Sequence, residues 1–294
     1  MPYQVAGVGE ILWDVFPDGP RFGGAPANFC CSAASLAQAS ADVSMISSVG
    51  NDKLGQQAID ALHHRKVKTP LVQVNQRPTG RVVIELDDAG IASYQFDENS
   101  AWDHLDWIDE LSAFAETCDA VCFGTLGQRS PISHQTITRF LEATPESALR
   151  ILDVNLRPPF FSDDLIAASL ANANVLKLNS EELPHVAMLN GFSGDDIDVM
   201  QQLAHAYQYR CVALTRGSEG AVIVTGDSIS ELPGMLVDVV DTVGAGDAFT
   251  ASLTLDLLAG KPIDVINRRA ITTASYACTK PGATMPFPNH LHRV

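Results

Sequence analysis

Asp241-Thr242-Val243-Gly244-Ala245-Gly246-Asp247 runs directly into an apolar segment that opens with Ala248-Phe249. Two glycines with one alanine between them let a backbone turn tightly and bring its N–H groups toward an outside ligand. The helix expected to follow, Asp247–Leu258, adds unsatisfied N–H groups and a partial positive charge at its first turn. That combination makes an anion hole. Asp247 then stands where it can take a proton from a group attacking the bound anion, or where it caps the helix; Asp241 reads equally as a turn former.

Outward from this turn, apolar β-branched runs alternate with segments of helical period. Strands are expected at Val5–Val8, Val43–Val49, Ala120–Phe123, Arg150–Val154, Val175–Leu178, Cys211–Thr215 and Ala221–Thr225. Helices are expected at Pro26–Ala39, Asp52–Lys66, Asp103–Thr117, Pro131–Leu141, Ser162–Asn172, Ile197–Tyr207, Asp247–Leu258 and Pro262–Thr279. Continuous apolar strands flanked by helices imply an α/β fold with a mostly parallel sheet covered on both faces. Two stretches break the rhythm. Glu10–Phe22 lacks a helix, and Arg77–Phe96 alternates around Asp87-Asp88-Ala89-Gly90 as a β-hairpin. These stretches predict a small sheet projecting as a lid, with strands contributed by about 10–22 and 77–98. No repeat, low-complexity tract or linker divides residues 1–294, which read as a single domain.

Composition narrows the partners. Lys and Arg number 19 against 35 Asp and Glu, a net charge of −16, so the chain is expected to bind neither nucleic acid nor an anionic membrane. A few oriented amides can still bind phosphate. With 46% apolar residues the chain can bury a large core. No apolar run reaches the length of a membrane span, and Met1-Pro2-Tyr3-Gln4-Val5 carries no secretory signal. Six sparse cysteines, several inside apolar segments, predict free thiols and a cytoplasmic location.

Three further motifs carry potential chemistry. Gly23-Gly24-Ala25-Pro26-Ala27-Asn28 opens a helix with a glycine turn that would let a substrate approach the backbone, with Asn28 offering donor and acceptor; alternatively it is only a sharp entry turn. Thr215-Arg216-Gly217-Ser218-Glu219-Gly220 lies between apolar strands and reads by itself as a hairpin. Asn179-Ser180-Glu181-Glu182 follows a strand, with Ser180 the expected helix cap, or with its carboxylates holding Mg²⁺ through water. Asp14 is a turn residue by default. Gly7-Val8-Gly9-Glu10 lacks the third glycine of a dinucleotide fingerprint, and no P-loop or protein-kinase signature is present. Cys118-x-x-x-Cys122 and His290-Leu-His292 lack the spacing of a zinc site.

Taken in order, Gly23-Gly24-x-x-x-Asn28, Asn179-x-x-Glu182, Thr215-x-Gly217-x-x-Gly220 and Asp241-Thr-x-Gly-Ala-Gly-Asp247 resemble the pfkB, or ribokinase-like, carbohydrate kinase family over nearly the whole chain. The resemblance implies a three-layer α/β/α sandwich with a small β-sheet lid, and transfer of phosphate from ATP to a sugar hydroxyl. By that resemblance Asp247 is the general base, and the amides of Gly244, Ala245 and Gly246 hold charge on the moving phosphoryl group. Thr215, Gly217, Gly220 and Gly246 would line the nucleotide site, and Asn179 with Glu182 would organise Mg²⁺ and the phosphates. Asp14, Gly24 and Asn28 would bind sugar hydroxyls, with Arg157 a positive charge near the phosphoryl or the sugar, or a plain loop arginine. Family members also use a monovalent cation such as K⁺, for which Asp241, Val243, Ala277, Lys280 and Gly282 occupy the corresponding positions; Pro281 and Pro286 alter that loop's backbone options.

Gly9-Glu10-Ile-Leu-Trp-Asp14 and Asp153-Val-Asn155-Leu-Arg157-Pro resemble the fructokinase-like branch. D-fructose, phosphorylated at a primary hydroxyl, is therefore the expected acceptor, with 2-keto-3-deoxygluconate and ribose as alternatives. A non-catalytic sugar or nucleotide sensor on the same fold is the alternative of another class, though a sensor would not require an acid at 247. An already phosphorylated sugar is disfavoured, because Arg21 is the single basic residue among positions 14–28. Family members often pair through the lid, and an apolar outer lid face (Val82, Ile84 or Val83, depending on register) would allow a homodimer.

Overall fold

Strands whose two faces are both covered need apolar side chains at every position, and the main sheet of this computed structural model is built from such strands. The structure describes residues 1–16, 19–86, 92–226 and 228–292. In chain order its elements are β1 (Tyr3–Val8), β2 (Leu12–Phe16), β3 (Gly19–Gly23), α1 (Ala25–Ala37), β4 (Ala41–Gly50), α2 (Lys53–His64), β5 (Val72–Asn75), β6 (Gly80–Leu86) and β7 (Ala92–Phe96). There follow α3 (Asp109–Ala115), β8 (Ala120–Phe123), α4 (Pro131–Ala143), β9 (Leu149–Asp153), α5 (Asp163–Asn172), β10 (Val175–Asn179), α6 (Leu183–Asn190) and α7 (Asp196–Tyr207). The chain closes with β11 (Cys211–Thr215), β12 (Ala221–Val224), β13 (Ile229–Leu232), α8 (Ala245–Leu258) and α9 (Ile263–Cys278).

Nine strands pair in the order β13-β12-β11-β10-β9-β8-β1-β4-β5. All pairs from β11 to β5 are parallel, while the pairs β11–β12 and β12–β13 at one edge are antiparallel. Val5, Val43, Ile151, Val175 and Ala213 point into a core shared with α1, α2, α8 and α9. Their neighbours Ala6, Leu152, Leu176, Val212 and Leu214 point into a second core shared with α3 to α7. The layers are therefore α/β/α, as expected. From β1 the chain builds outward to β4 and β5, then crosses to β8 on the other flank. That reversal opens a crevice at the carboxyl ends of the strands.

A second sheet, β3-β2-β6-β7, stands apart from the first. The arms β6 and β7 pair antiparallel, as a hairpin requires; the turn expected at Asp87–Gly90 lies outside the described residues. Val82 packs inward with Leu12, Trp102 and Leu126, so it does not belong to an outer apolar face. Val83, which points the other way, is half-buried; nothing is described of the Ile84 side chain.

One expected helix is divided. Instead of a continuous Asp103–Thr117, a short 3-10 turn (Ala101–His104) precedes α3. Asp103 is committed to the Ser100 amide (2.9 Å) and to the buried Arg129 guanidinium (2.7 Å), which closes the first turn, and Leu105 leaves it in extended backbone. The short strands β5 and β13 fall outside the expected elements. Among the described residues no helix is long and apolar enough to cross a membrane.

Candidate active site

The turn before α8 has the geometry its composition suggests. Gly244 adopts φ +78 as the residue capping α8, and a Cβ there would lie 2.7 Å from the Ala283 backbone, so only glycine fits. The Ala245 amide donates to the Thr242 carbonyl at 3.2 Å and is thus engaged within the turn. The amides of Gly246 and Asp247 fall in the first helical turn, where no intrahelical acceptor exists, and carry the anion-binding capacity of this helix end.

Asp247 is not a cap, because its side chain bonds across the molecule. Its Oδ2 accepts from Asn28 Nδ2 at 2.9 Å. The carboxyl faces a small depression lined by Ala25, Pro26, Phe29, Cys122, Asp153 and their neighbours. Desolvation by the surrounding protein pushes its pKa up to about 7; the Asp153 charge adds to this, while the Asn28 bond, Lys177 and Arg157 oppose it. A carboxylate titrating there is suited to exchange a proton near neutrality. Asn28 is buried rather than solvated, and its Oδ1 has no partner among the described residues.

Around this pair stand two more acids. Glu10, beyond the end of β1, is buried; its Oε1 accepts from the Ala25 amide at 3.2 Å, and its Oε2 has no partner among the described residues. Burial raises it to about 7, with Asp247 contributing and Arg157 opposing. Asp14, on β2, rises to about 6 through burial, with Arg157 and Arg21 holding it down. Arg157 is an exposed loop arginine in its contacts, donating to the Leu156 carbonyl at 3.1 Å, yet its charge acts on Glu10, Asp14 and Asp247 together.

Packing requires glycine at 23 and 24. The space at Gly23 is taken by the Asp14 carboxylate, 2.8 Å from where a Cβ would stand. At Gly24, with φ +108, a Cβ would strike the Glu10 carbonyl oxygen. Protein atoms fill the Cβ direction at both positions, so neither tolerates a side chain.

At the ends of β10 and β11, Asn179 and Glu182 bind each other's backbone. Asn179 Oδ1 accepts from the amides of Glu181 (2.9 Å) and Glu182 (3.0 Å), while Glu182 accepts from Asn179 (2.9 Å) and Leu156 (3.1 Å). Burial raises the Glu182 carboxyl, Lys177 opposing and Asp153 adding. This reciprocal lock displaces the expected role of Ser180: α6 begins only at Leu183, without a side-chain cap, and Ser180 Oγ lies 3.4 Å from the Thr215 carbonyl. Asn179 pairs in register with Thr215. Thr215–Gly220 is a hairpin, with Gly217 at φ +55 facing open space and Gly220 at φ +103 against the Leu232 carbonyl.

Asp241 joins two loops rather than simply forming a turn. Its oxygens accept from the Val243 amide (3.0 Å) and the Gly282 amide (2.9 Å). The Ala277 carbonyl accepts from the Lys280 amide at 3.1 Å, and Lys280 Nζ sits over the Tyr276 ring at 5.3 Å.

Sequence reasoning gave no role to Glu10, Asp153, Lys177 or Thr250. A lysine inside the apolar run Val-Leu-Lys-Leu was the available signal, because a buried ammonium demands a partner. That partner is Asp153, at 2.9 Å.

A profile of the pfkB family carbohydrate kinases matches residues 19–290. A fructokinase of Salmonella typhimurium is 28% identical over 307 aligned residues, covering 97% of this chain and 97% of its own. An uncharacterized sugar kinase of Pyrococcus horikoshii, solved in complex with ATP, superposes with a TM-score of 0.81 at 25% identity, over 95% of this chain and 94% of its own. A ribokinase II candidate from Escherichia coli, solved with ATP and Mg²⁺, superposes with a TM-score of 0.83 at 20% identity, over 97% and 96% of the two chains. This last likeness bears on the fold alone, which is ribokinase-like.

Proposed function

The chain belongs to the pfkB family of carbohydrate kinases, and we propose that within it this protein transfers the γ-phosphate of ATP to a primary hydroxyl of D-fructose. The observation that carries this reading is the Asp247 carboxyl, raised to about 7 at the open end of α8 and held by Asn28. The acceptor hydroxyl gives its proton to Asp247 as its oxygen bonds to the γ-phosphorus. The bond from that phosphorus to the β-phosphate bridging oxygen breaks, and ADP leaves. Amides of the first turn of α8 stabilise the charge spread over the equatorial oxygens. Asp14, Gly24, Asn28 and Arg157 form the acceptor side, and Asn179, Thr215, Gly217 and Gly220 the nucleotide side. The small sheet closes over the sugar and keeps water from competing for the phosphate.

Glu182 and Asn179 fit Mg²⁺ as outer partners through water. Their oxygens already accept backbone amides, and no group of three or more metal-binding side chains gathers among the described residues. The ion would neutralise phosphate charge. The loops joined by Asp241 fit a monovalent cation, held by Asp241 and the backbone at Val243, Ala277, Lys280 and Gly282. Asp241 already ties these loops together by itself, so K⁺ would tune the rate rather than complete the fold. A cytoplasmic location and pairing of two copies through the small sheet belong to the same reading; all six cysteines are free thiols.

Fructose as the acceptor is supported by the fructokinase relative at 28% identity and by the Glu10–Asp14 and Asp153–Arg157 segments. The test is ADP release on a panel of fructose, 2-keto-3-deoxygluconate and ribose with ATP and Mg²⁺, repeated with Asp247→Asn. Fructose should give the highest kcat/KM, and the variant should lose turnover. Preference for another sugar overturns the acceptor, and ATP binding without turnover on any sugar would mean a sensor.

A further inference from the structure

Beneath the anion turn lies a cluster that the proposed reaction does not use directly. Asp153 and Lys177 are neighbours across β9 and β10, only 6% and 5% exposed. Lys177 Nζ donates to Asp153 Oδ1 at 2.9 Å, and Thr250 Oγ1 donates to Asp153 Oδ2 at 2.8 Å. Thr250 is fully buried on α8, three residues beyond Asp247, and its hydroxyl also stands 3.0 Å from the Gly246 carbonyl. Lys177 Nζ is so close that a Cβ on Gly246 would meet it at 3.1 Å. Both oxygens of one buried carboxylate are therefore spent on holding a helix start against two strand ends.

We propose that Asp153, gripped by Lys177 and Thr250, is a positioning residue for phosphoryl transfer: it pins the first turn of α8 and so sets where the Asp247 carboxylate and the neighbouring amides stand. The proposal rests on the reading of Asp247 as the base. Displacing a reacting group by about 1 Å can cost on the order of 10²-fold in rate, so a clamp of this kind acts on kcat more than on binding. Its charge matters as well. The groups that act on Asp247 are Glu10 beyond β1, Asp153 on β9, Arg157 in the following loop and Lys177 on β10, with Asn28 from α1 and the Cys122 thiol on β8. Among these charges Asp153 does most to keep the Asp247 proton on.

Two substitutions separate positioning from bulk stability. Thr250→Val removes the hydroxyl and keeps the ion pair; Asp153→Asn with Lys177→Met removes both charges together and leaves no uncompensated ion. Both are measured beside Asp247→Asn for kcat, KM, kcat–pH profile and thermal midpoint. Thr250→Val should lower kcat by roughly 10- to 100-fold with KM for sugar and ATP little changed, and Thr250→Ser should restore most of it. The double variant should move the acid limb of the kcat–pH profile to lower pH, because the larger of the two lost charge effects is the one from Asp153. Unchanged kcat and acid limb in these variants, with Asp247→Asn inactive, overturns the clamp. Failure of Thr250→Ser to rescue assigns the loss to packing and overturns it too. Full activity of Asp247→Asn instead defeats the underlying assignment of the base, and the clamp with it.

Discussion

The two sides of the cleft handle their polar atoms in opposite ways. On the side of β10 and β11, Asn179 Oδ1 accepts two amides, and each Glu182 oxygen accepts one. On the side of β1 and α1, Glu10 Oε2 and Asn28 Oδ1 are buried without a partner among the described residues, next to carboxyls raised to about 7, 6 and 7. Buried polar atoms are normally satisfied. Asn179 and Glu182 are thus satisfied before any ligand arrives, although the buried Arg216 Nε after β11 has no partner among the described residues. The second side has kept hydrogen-bonding capacity and proton affinity in reserve, as hydroxyl recognition and proton transfer require.

Breaking the second side should cost most. Asp247→Ala should lower kcat by about 10²–10⁴-fold while ATP still binds, as titration calorimetry would record. Asn28→Ala removes the bond that favours the ionised Asp247. Its kcat/KM should fall less steeply, and the acid limb of its profile should move to higher pH. In the unaltered protein, kcat/KM should rise as pH passes through about 7, because the base must lose its proton to act. A flat profile within about one pH unit either side of 7 would remove the contrast between the two sides.

Breaking the first side should act on stability. Glu182→Ala orphans the Leu156 and Asn179 amides, with an expected loss of about 1–3 kcal/mol, visible as a lower denaturation midpoint and a raised KM for ATP. Glu10 supplies the matching experiment across the cleft. Its carboxyl binds a proton in the folded protein up to about 7, against an ordinary value of 4.5. Its contribution to stability is therefore present below about 4.5 and lost as pH rises through about 7. Glu10→Gln should flatten that part of the stability–pH curve. The smallest effect expected is a modest rise of kcat on adding K⁺, with no change in denaturation midpoint.

Local pattern made some of this legible and long-range contact hid the rest. Strands with both faces covered announce themselves by unbroken apolar runs, so Ala120–Phe123 and Cys211–Thr215 end where expected. The Gly-Ala-Gly turn with its acid is equally local. The edge strands β5 and β13 are four residues long with mixed burial, too short to display a period. The eight-residue α6 starts late because Asn179 and Glu182 bind one another first. Glycines at 23 and 24 look permissive in sequence, but the atoms that fill their space come from Asp14 and Glu10. The Asp153 cluster draws on positions 24 and 97 residues away, and no spacing rule connects them.

Strand β1 lies inside the main sheet between β8 and β4, and the Asn28–Asp247 bond spans 219 positions. During synthesis the carboxylate that would accept the proton is therefore made 219 residues after the asparagine that holds it. On the proposed reading, a fragment clipped before α8 would lack its proton acceptor, however well the strands before it had formed.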